Sequence, residues 1–224
     1  HGVGTRVNLA APGGTNRFAA GNVAGASSVI VSGGAVLDGT YLRDRCASGP
    51  ACQNVVGAAA GSQGVLTVTG AGSEARFLRP FHVGNLAYNG ASGIRGRDGM
   101  GLVEVLDGGA LTTEYPVLGA GYAGPELDGT EKGIAQVRIS GGGSRWTIAG
   151  SDILGGAVRL VAATDRQGVT SLEVSGGATL HMPASPAGLQ SEALLGTGGS
   201  VLATVAGTGS VWRMDGDGSN GYLR

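Results

Sequence analysis

The sequence has little charge, few aromatic residues and almost no long stretch without glycine. Charged residues make up 14% of the chain and aromatic residues 4%, and the formal net charge is −1. A nearly neutral chain lacks the basic surface that binds nucleic acid, so we expect no nucleic-acid partner. No apolar run approaches the roughly 18 residues of a membrane-spanning helix, so we also expect no membrane insertion by this fragment.

Glycine leaves little room for helices. The chain has 46 glycines in 224 residues, and its longest glycine-free stretches, 73–83 and 157–167, have 11 residues each. Glycine in a helix interior costs about 1 kcal/mol relative to alanine, so helices of ordinary length have almost nowhere to form. The runs between glycines alternate apolar and polar residues, as short strands do. A hydrophobic content of 42% argues against disorder and for a buried core.

Two glycine patterns alternate along the chain. One is a strand, then G-x-G-S, then an aromatic residue, and the other is a strand, then G-G-A, then a hydrophobic residue. Their first glycines fall at 33, 70, 108, 141, 176 and 207, so each half-unit spans about 35 residues and the full unit about 70. A fixed period of this kind predicts coils that stack to share one core. We expect the aromatic residues of the first pattern, Phe77, Trp146 and Trp212, to recur at one register and pack in that core or at a corner.

The repeat predicts an all-β fold, a right-handed single-stranded parallel β-helix with on the order of ten coils. We expect one such domain over residues 1–224. Four ranges are longer than the repeat requires and are predicted to be loop insertions: 38–54, 78–100, 113–132 and 181–197.

The repeat resembles the passenger domains of autotransporters. Their motif includes V-x-G-x-G-S-x-W, L-x-V-G and I-G-x-x-x-G-S-x-G-x-V-x-V-x-G-x-G-S. The run VVGAAAGSQGVLTVTGAGS at residues 55–73 matches the last part almost position by position, and the resemblance covers about residues 28–224. It implies a β-helix that is secreted or held at the cell surface of a Gram-negative bacterium after export through the outer membrane. It also implies that the chain is a fragment of a longer passenger.

The resemblance further implies an adhesin or self-association module, active in virulence or biofilm formation and without catalysis. A host-cell glycan, a matrix protein or another copy of the chain would be its partner, with no cofactor. Many β-helices instead cleave polysaccharides, so a glycosidase or lyase on the same scaffold stays open as the alternative.

Candidate binding residues lie in the insertions. Aromatic and arginine side chains favour binding, although polar loop tips without a ligand are the plainer interpretation. The residues concerned are Tyr41, Arg43 and Arg45 in the first insertion, and Tyr115 and Tyr122 in the third.

Cys46 and Cys52 lie on either side of a Gly-Pro turn in the run CASGPAC. This spacing suits a small disulfide loop, which fits an oxidising compartment, and two free thiols are the alternative. Two cysteines alone cannot form the usual four-ligand zinc site and no histidine lies near them in sequence, so we predict no metal.

The sequence predicts no catalytic residues. Apart from the terminal His1, only His82 and His181 can serve as a base for a nucleophile, and we expect both at a strand edge or on a loop surface. Glu104 and Glu173 occupy equivalent outward positions of the repeat. They can face one groove, as a glycosidase requires of its carboxylates, but a solvated surface is the favoured interpretation.

Overall fold

The computed structural model describes residues 5–8, 18–21, 24–40, 54–57, 61–84, 99–119, 132–151, 154–163, 168–187, 189–216 and 221–223. In these ranges every regular element is a strand, which confirms the all-β class. No helix found there is long and apolar enough to cross a membrane.

In chain order the strands are β1 (Arg6–Asn8), β2 (Ala19–Ala20), β3 (Gly25–Ser32), β4 (Val36–Asp38), β5 (Asn54–Val56), β6 (Ser62–Thr69), β7 (Glu74–Val83), β8 (Met100–Leu106), β9 (Ala110–Leu118), β10 (Ile134–Ser140), β11 (Arg145–Ala149), β12 (Arg159–Ala162), β13 (Val169–Ser175), β14 (Thr179–Met182), β15 (Ser191–Leu195), β16 (Ser200–Ala206), β17 (Val211–Met214) and β18 (Gly221–Leu223).

These strands form two parallel sheets. The six-stranded sheet has the order β16-β13-β10-β8-β6-β3, and the main path of the twelve-stranded sheet is β1-β4-β7-β9-β11-β14-β17. We call this main path the first limb. The second limb comprises β2, β5, β12, β15 and β18 together with the C-terminal parts of β7 and β9, which run through both limbs. Each coil therefore has three sides, and the protein is a parallel β-solenoid.

The prediction of ten coils is wrong. Each coil contributes one strand to the six-stranded sheet, and four of these strands have neighbours on both sides, so about four enclosed turns lie between two terminal coils. One half-unit of about 35 residues forms a single coil. It is this long because the strands of the second limb also come from it, at positions outside the two glycine patterns. The ends of β7 and β9 and the whole of β15 lie in ranges predicted as insertions. The right-handed sense of the coil stays a prediction.

The core is a stack of equivalent side chains from successive coils. Phe77 and Trp146 are fully buried and Trp212 packs half-buried against the same cluster, which confirms their predicted packing role. Trp146 and Trp212 share one register, since both align with Leu180. Phe77 does not, because it lies two positions further along its strand and aligns with Thr113. The Trp146 indole N–H donates to the Thr113 hydroxyl at 2.9 Å, so the buried ring leaves no donor without an acceptor.

The first corner of each coil begins with a residue of positive φ. Asp107 takes this position in the third coil with a φ of 51°, so the register there differs by one residue from the predicted Gly108. Aspartate tolerates the left-handed conformation better than most residues because its short side chain hydrogen-bonds locally. The other coils have glycine there, as predicted, with φ between 61° and 92°: Gly33, Gly70, Gly141, Gly176 and Gly207.

A serine joins the first corners of the coils in pairs. Turns of three residues alternate with turns of four, G-x-G-S, and the serine hydroxyl of each longer turn accepts a hydrogen bond from the shorter turn of the preceding coil. Ser144 and Ser210 also donate to the carbonyl oxygen four residues earlier, at 2.7 Å. The links are Gly34 N to Ser73 Oγ at 3.1 Å, Gly108 N to Ser144 Oγ at 2.9 Å and Gly177 N to Ser210 Oγ at 3.0 Å.

A second glycine column closes each coil, where the second limb leads into the next strand of the six-stranded sheet. A Cβ on Gly84 would lie 2.0 Å from the Ile134 carbonyl oxygen of a later coil, so no side chain fits there. Ala163 takes the equivalent place in the fourth coil with a φ of 48°. The glycines of the column are Gly21, Gly57, Gly84, Gly119 and Gly196.

Replacing Gly84 by alanine tests this close approach. We expect Gly84→Ala to lower the free energy of unfolding by about 3 kcal/mol or more, because the clash with backbone adds to about 1–2 kcal/mol of left-handed strain. Gly33→Ala is the matched control, because Gly33 has a similar φ but nothing within 4 Å of a Cβ. It should lose only about 1 kcal/mol. Chemical denaturation followed by circular dichroism measures both, and equal losses would contradict the tight corner.

Replacing Ser144 by alanine tests the link between coils. We expect Ser144→Ala to lower the free energy of unfolding by about 1–2 kcal/mol, because two hydrogen bonds of the Ser144 hydroxyl are lost. Ser171→Ala, on the outward face of β13, should change it by no more than about 0.5 kcal/mol. The same denaturation experiment compares the two variants, and a loss no larger than that of the control would rule the link out as a stabilising contact.

Candidate functional site

The outward face of the first limb carries a polar depression of about 330 Å3. Three neighbouring strands, β9, β11 and β14, form it with outward side chains that alternate with buried ones. Strand register places Thr112, Thr147 and His181 side by side in one row, and Arg145 next to Thr179 in another. Its lining residues are Thr112, Gly143, Ser144, Arg145, Thr147, Thr179 and His181.

Arg145 brings a positive charge to this depression. Its side chain is exposed, and no carboxylate of the described chain lies within ion-pair distance of it. A guanidinium presents five N–H donors in a planar fork, and each threonine hydroxyl both donates and accepts. The depression therefore offers a cation beside a row of hydroxyls, which suits a ligand that is anionic and rich in hydrogen-bonding groups.

Asp215 contacts two basic residues, His181 and Arg213, at the C-terminal edge of the depression. The His181 Nε2 lies 2.8 Å from Asp215 Oδ2, and Arg213 Nε donates to Asp215 Oδ1 at 2.5 Å. The hydrogen bond with His181, followed by that from Arg213, holds the pKa of Asp215 below its ordinary value. The His181 side chain is 31% exposed, so the ionised Asp215 orients an imidazole that solvent and ligands can reach.

The same face has its charges matched nearer the N-terminus. Arg6 forms an ion pair with Asp38, and Arg76 donates to both carboxylate oxygens of Glu74 at 2.6 Å. Burial raises the pKa of Asp38, but hydrogen bonds from Thr40 and Arg6 outweigh this and the net pKa lies below its ordinary value. The depression differs from this region because its arginine has no acidic partner within the described residues.

The two glutamates at equivalent repeat positions do not form a carboxylate pair. Glu104 and Glu173 face outward from the six-stranded sheet, and Arg138 lies between them in the same row. Two strand spacings, about 10 Å, separate their backbones. The row is a ladder of alternating charge on a sheet surface. The described ranges also contain no group of three or more His, Cys, Asp or Glu side chains placed to hold a metal ion.

Tyr115 lies in strand β9 and not in a loop. Its φ is 38°, and its side chain is half-buried against the cluster that Val117 and Val161 form in the second limb. Its predicted place at a loop tip is therefore wrong, and its binding role stays a prediction. The other predicted site residues lie outside the described ranges, so that their roles and the disulfide stay predictions without structural support: Tyr41, Arg43, Arg45, Tyr122, Cys46 and Cys52.

His82 is buried in the second limb, and the expectation of a strand edge or loop surface is wrong for it. Its side chain is 3% exposed, and it stacks in one column between Val55 and Val117. Neither ring nitrogen has a hydrogen-bond partner among the residues described. Burial lowers the pKa of His82 to about 4, so it is neutral near pH 7 and serves as a packing residue.

The depression could not be predicted from the sequence. Its side chains sit at outward positions just after the first corner, in the runs GALT, GSRWT and GATLH, where polar residues surround a buried leucine or tryptophan. That local signal is present at Thr112, Arg145 and Thr179. It is too common in a solenoid to identify a site, because only the register between coils brings the three residues together.

No family model, curated protein or solved structure matches the chain. The parallel β-solenoid is compatible with an autotransporter passenger domain, and the structural support for that resemblance extends to the fold alone.

Protonation of His82 should make the protein sensitive to acid. Its pKa is about 4 in the folded chain, against 6.5 for an ordinary histidine, so the unfolded chain binds more protons between these pH values. The contribution of neutral His82 to the free energy of unfolding is therefore fully present above pH 6.5. The free energy of unfolding falls by about 3 kcal/mol as the pH drops to 4. Asp38 and Asp215 have lowered pKa values, so their contributions are lost at lower pH. Denaturation at several pH values should show a flatter profile for His82→Leu, and parallel profiles would refute this account.

Proposed function

We propose that the chain is a non-catalytic binding module, secreted or displayed at the surface of a Gram-negative bacterium, which acts as an adhesin or in self-association. Roles in virulence and biofilm formation belong to the same proposal. The resemblance of the repeat to autotransporter passengers supports it, and the β-solenoid is compatible with that resemblance. Stacked coils also present extended strand faces, which suit long or repeating partners.

An acidic glycan is the ligand that best fits the polar depression. The observation that carries this proposal is the charge of Arg145, which has no acidic partner among the described residues, beside the row of Thr112, Thr147 and His181. A guanidinium binds a sulfate or carboxylate group with two parallel hydrogen bonds. The threonine hydroxyls can bond the hydroxyls of the sugar rings.

The size of the depression suggests how such binding would work on a cell. About 330 Å3 lies at the small end of the range for ligand pockets, so one depression holds only a short part of a glycan chain. A single contact of this kind is weak. Many copies on one surface that meet many glycans on another would bind firmly through multivalency.

A polysaccharide-acting enzyme stays the alternative, and no specific observation in the described part of the chain favours it. A glycosidase requires a carboxyl group with a raised pKa as its acid. Here the pKa values of Asp38 and Asp215 are lowered. Asp38 is paired with Arg6 and Glu74 with Arg76, which keeps these carboxylates in ion pairs.

A heparin oligosaccharide is a suitable probe of the depression. We expect Arg145→Ala to weaken heparin binding by about tenfold or more, because a hydrogen-bonded charge contact contributes roughly 1.5–3 kcal/mol. Arg138→Ala removes the same charge from the six-stranded sheet and should leave binding unchanged. Surface plasmon resonance with the protein immobilised at low density measures both without interference from self-association.

Two outcomes would contradict the proposed function. If Arg145→Ala and Arg138→Ala weaken heparin binding equally, the contact is unspecific and the depression is not the site. If the wild-type chain binds no acidic glycan and a strain that lacks the gene adheres and aggregates normally, the adhesive role itself fails.

A further inference from the structure

The outward face of the six-stranded sheet exposes large apolar side chains in register. Met100 is 39% exposed and Val169 43%, and the half-buried Ile134 lies between them in the same row. Val65 and Leu102 continue the apolar surface in the neighbouring row. A solvated sheet face normally alternates polar-out with hydrophobic-in. An apolar face of this kind marks a surface that another molecule covers.

Charges on the same face alternate from strand to strand. Glu104 on β8, Arg138 on β10 and Glu173 on β13 form one row. Thr67 on β6 continues the row, and its hydroxyl donates to the Glu104 carboxylate at 3.1 Å. A two-fold rotation about an axis between β8 and β10 exchanges these two strands. Since they carry opposite charges, the face is complementary to itself under this rotation.

We propose that this face binds a second copy of the chain, sheet against sheet, about a two-fold axis that runs parallel to the strands between β8 and β10. Glu104 then faces the partner's Arg138, and Arg138 faces the partner's Glu104. In the apolar row, Met100 faces the partner's Ile134. A two-fold axis uses one surface patch on both copies, which this pairing satisfies.

The dimensions of the sheet predict a weak dimer. Six strands about 4.8 Å apart and seven residues at about 3.3 Å each give a face of roughly 24 by 23 Å. Two such faces bury about 1,100 Å2 in total, which is at the low end for specific interfaces. Opposed sheets pack about 10 Å apart, which leaves room for a glutamate and an arginine to meet end to end. We therefore expect a micromolar dimer.

This inference deepens the self-association part of the proposed function and uses a different face from the polar depression. Failure of the dimer leaves the heparin experiment on Arg145 untouched, and failure of heparin binding leaves the dimer untouched. The two results can therefore be told apart.

A charge exchange tests the pairing. Glu104→Arg and Arg138→Glu each place like charges opposite each other twice, and each should raise the Kd of self-association by about tenfold or more. The double variant Glu104→Arg/Arg138→Glu restores opposite charges and should return the Kd close to the wild-type value. Sedimentation equilibrium of the whole chain measures each Kd, and circular dichroism checks that each variant is folded.

Two further variants complete the test. Glu173→Arg changes the net charge as much as Glu104→Arg but faces the partner's Thr67, so it should leave the dimer intact. Met100→Ser removes an apolar contact without a change of charge and should also raise the Kd. A wild-type chain that stays monomeric at its solubility limit overturns the proposal. So does a dimer that persists in both single charge variants, since it would form elsewhere, such as edge to edge through β16.

Discussion

The parallel hydrogen-bond ladder between successive coils is the constraint on which the whole structure depends. A coil of about 35 residues cannot bury its own apolar side chains, so each coil is stable only when the next one lies in register upon it. Register in turn fixes which side chains form columns. The same ladder that builds the core from Leu66, Val103 and Val137 also sets Thr112 beside Thr147 on the outer face. Core and candidate site are thus two results of one alignment.

The sequence was sufficient to predict the class of fold because its signals are local. Strand alternation, corner glycines and recurrent aromatic residues each depend on a few neighbouring positions. The structure confirms the strands, five of the six corner glycines and the packing role of the aromatic residues. The number of coils was wrong because the strands of the second limb are short and share little more than the glycine that follows most of them. The C-terminal parts of β7 and β9, for example, come from the runs LRPFHV and TEYPVL, which differ at each paired position from Pro80 to Val83. A half-unit therefore looked longer than one coil.

The site residues were less predictable because they depend on contacts between coils. His82 has the sequence surroundings of a surface residue, yet it is buried because its column contains Val55 and Val117. Arg145 follows a corner serine like any solvated residue. Its interest comes from neighbours 33 and 34 residues away, Thr112 and Thr179, and from the lack of an acidic partner in the described chain. The corner position at Asp107 is not visible in the sequence because the other five coils have glycine there.

The serine hydrogen bonds make a pair of coils the structural unit of the solenoid. Each G-x-G-S turn binds the shorter turn before it, so Ser73, Ser144 and Ser210 divide the stack into three couples. Duplication of one coil during evolution would place two turns of the same kind together, and one of them would lack its serine hydrogen bond. Growth by whole couples preserves every link. Families of such solenoids should therefore vary in length by even numbers of coils.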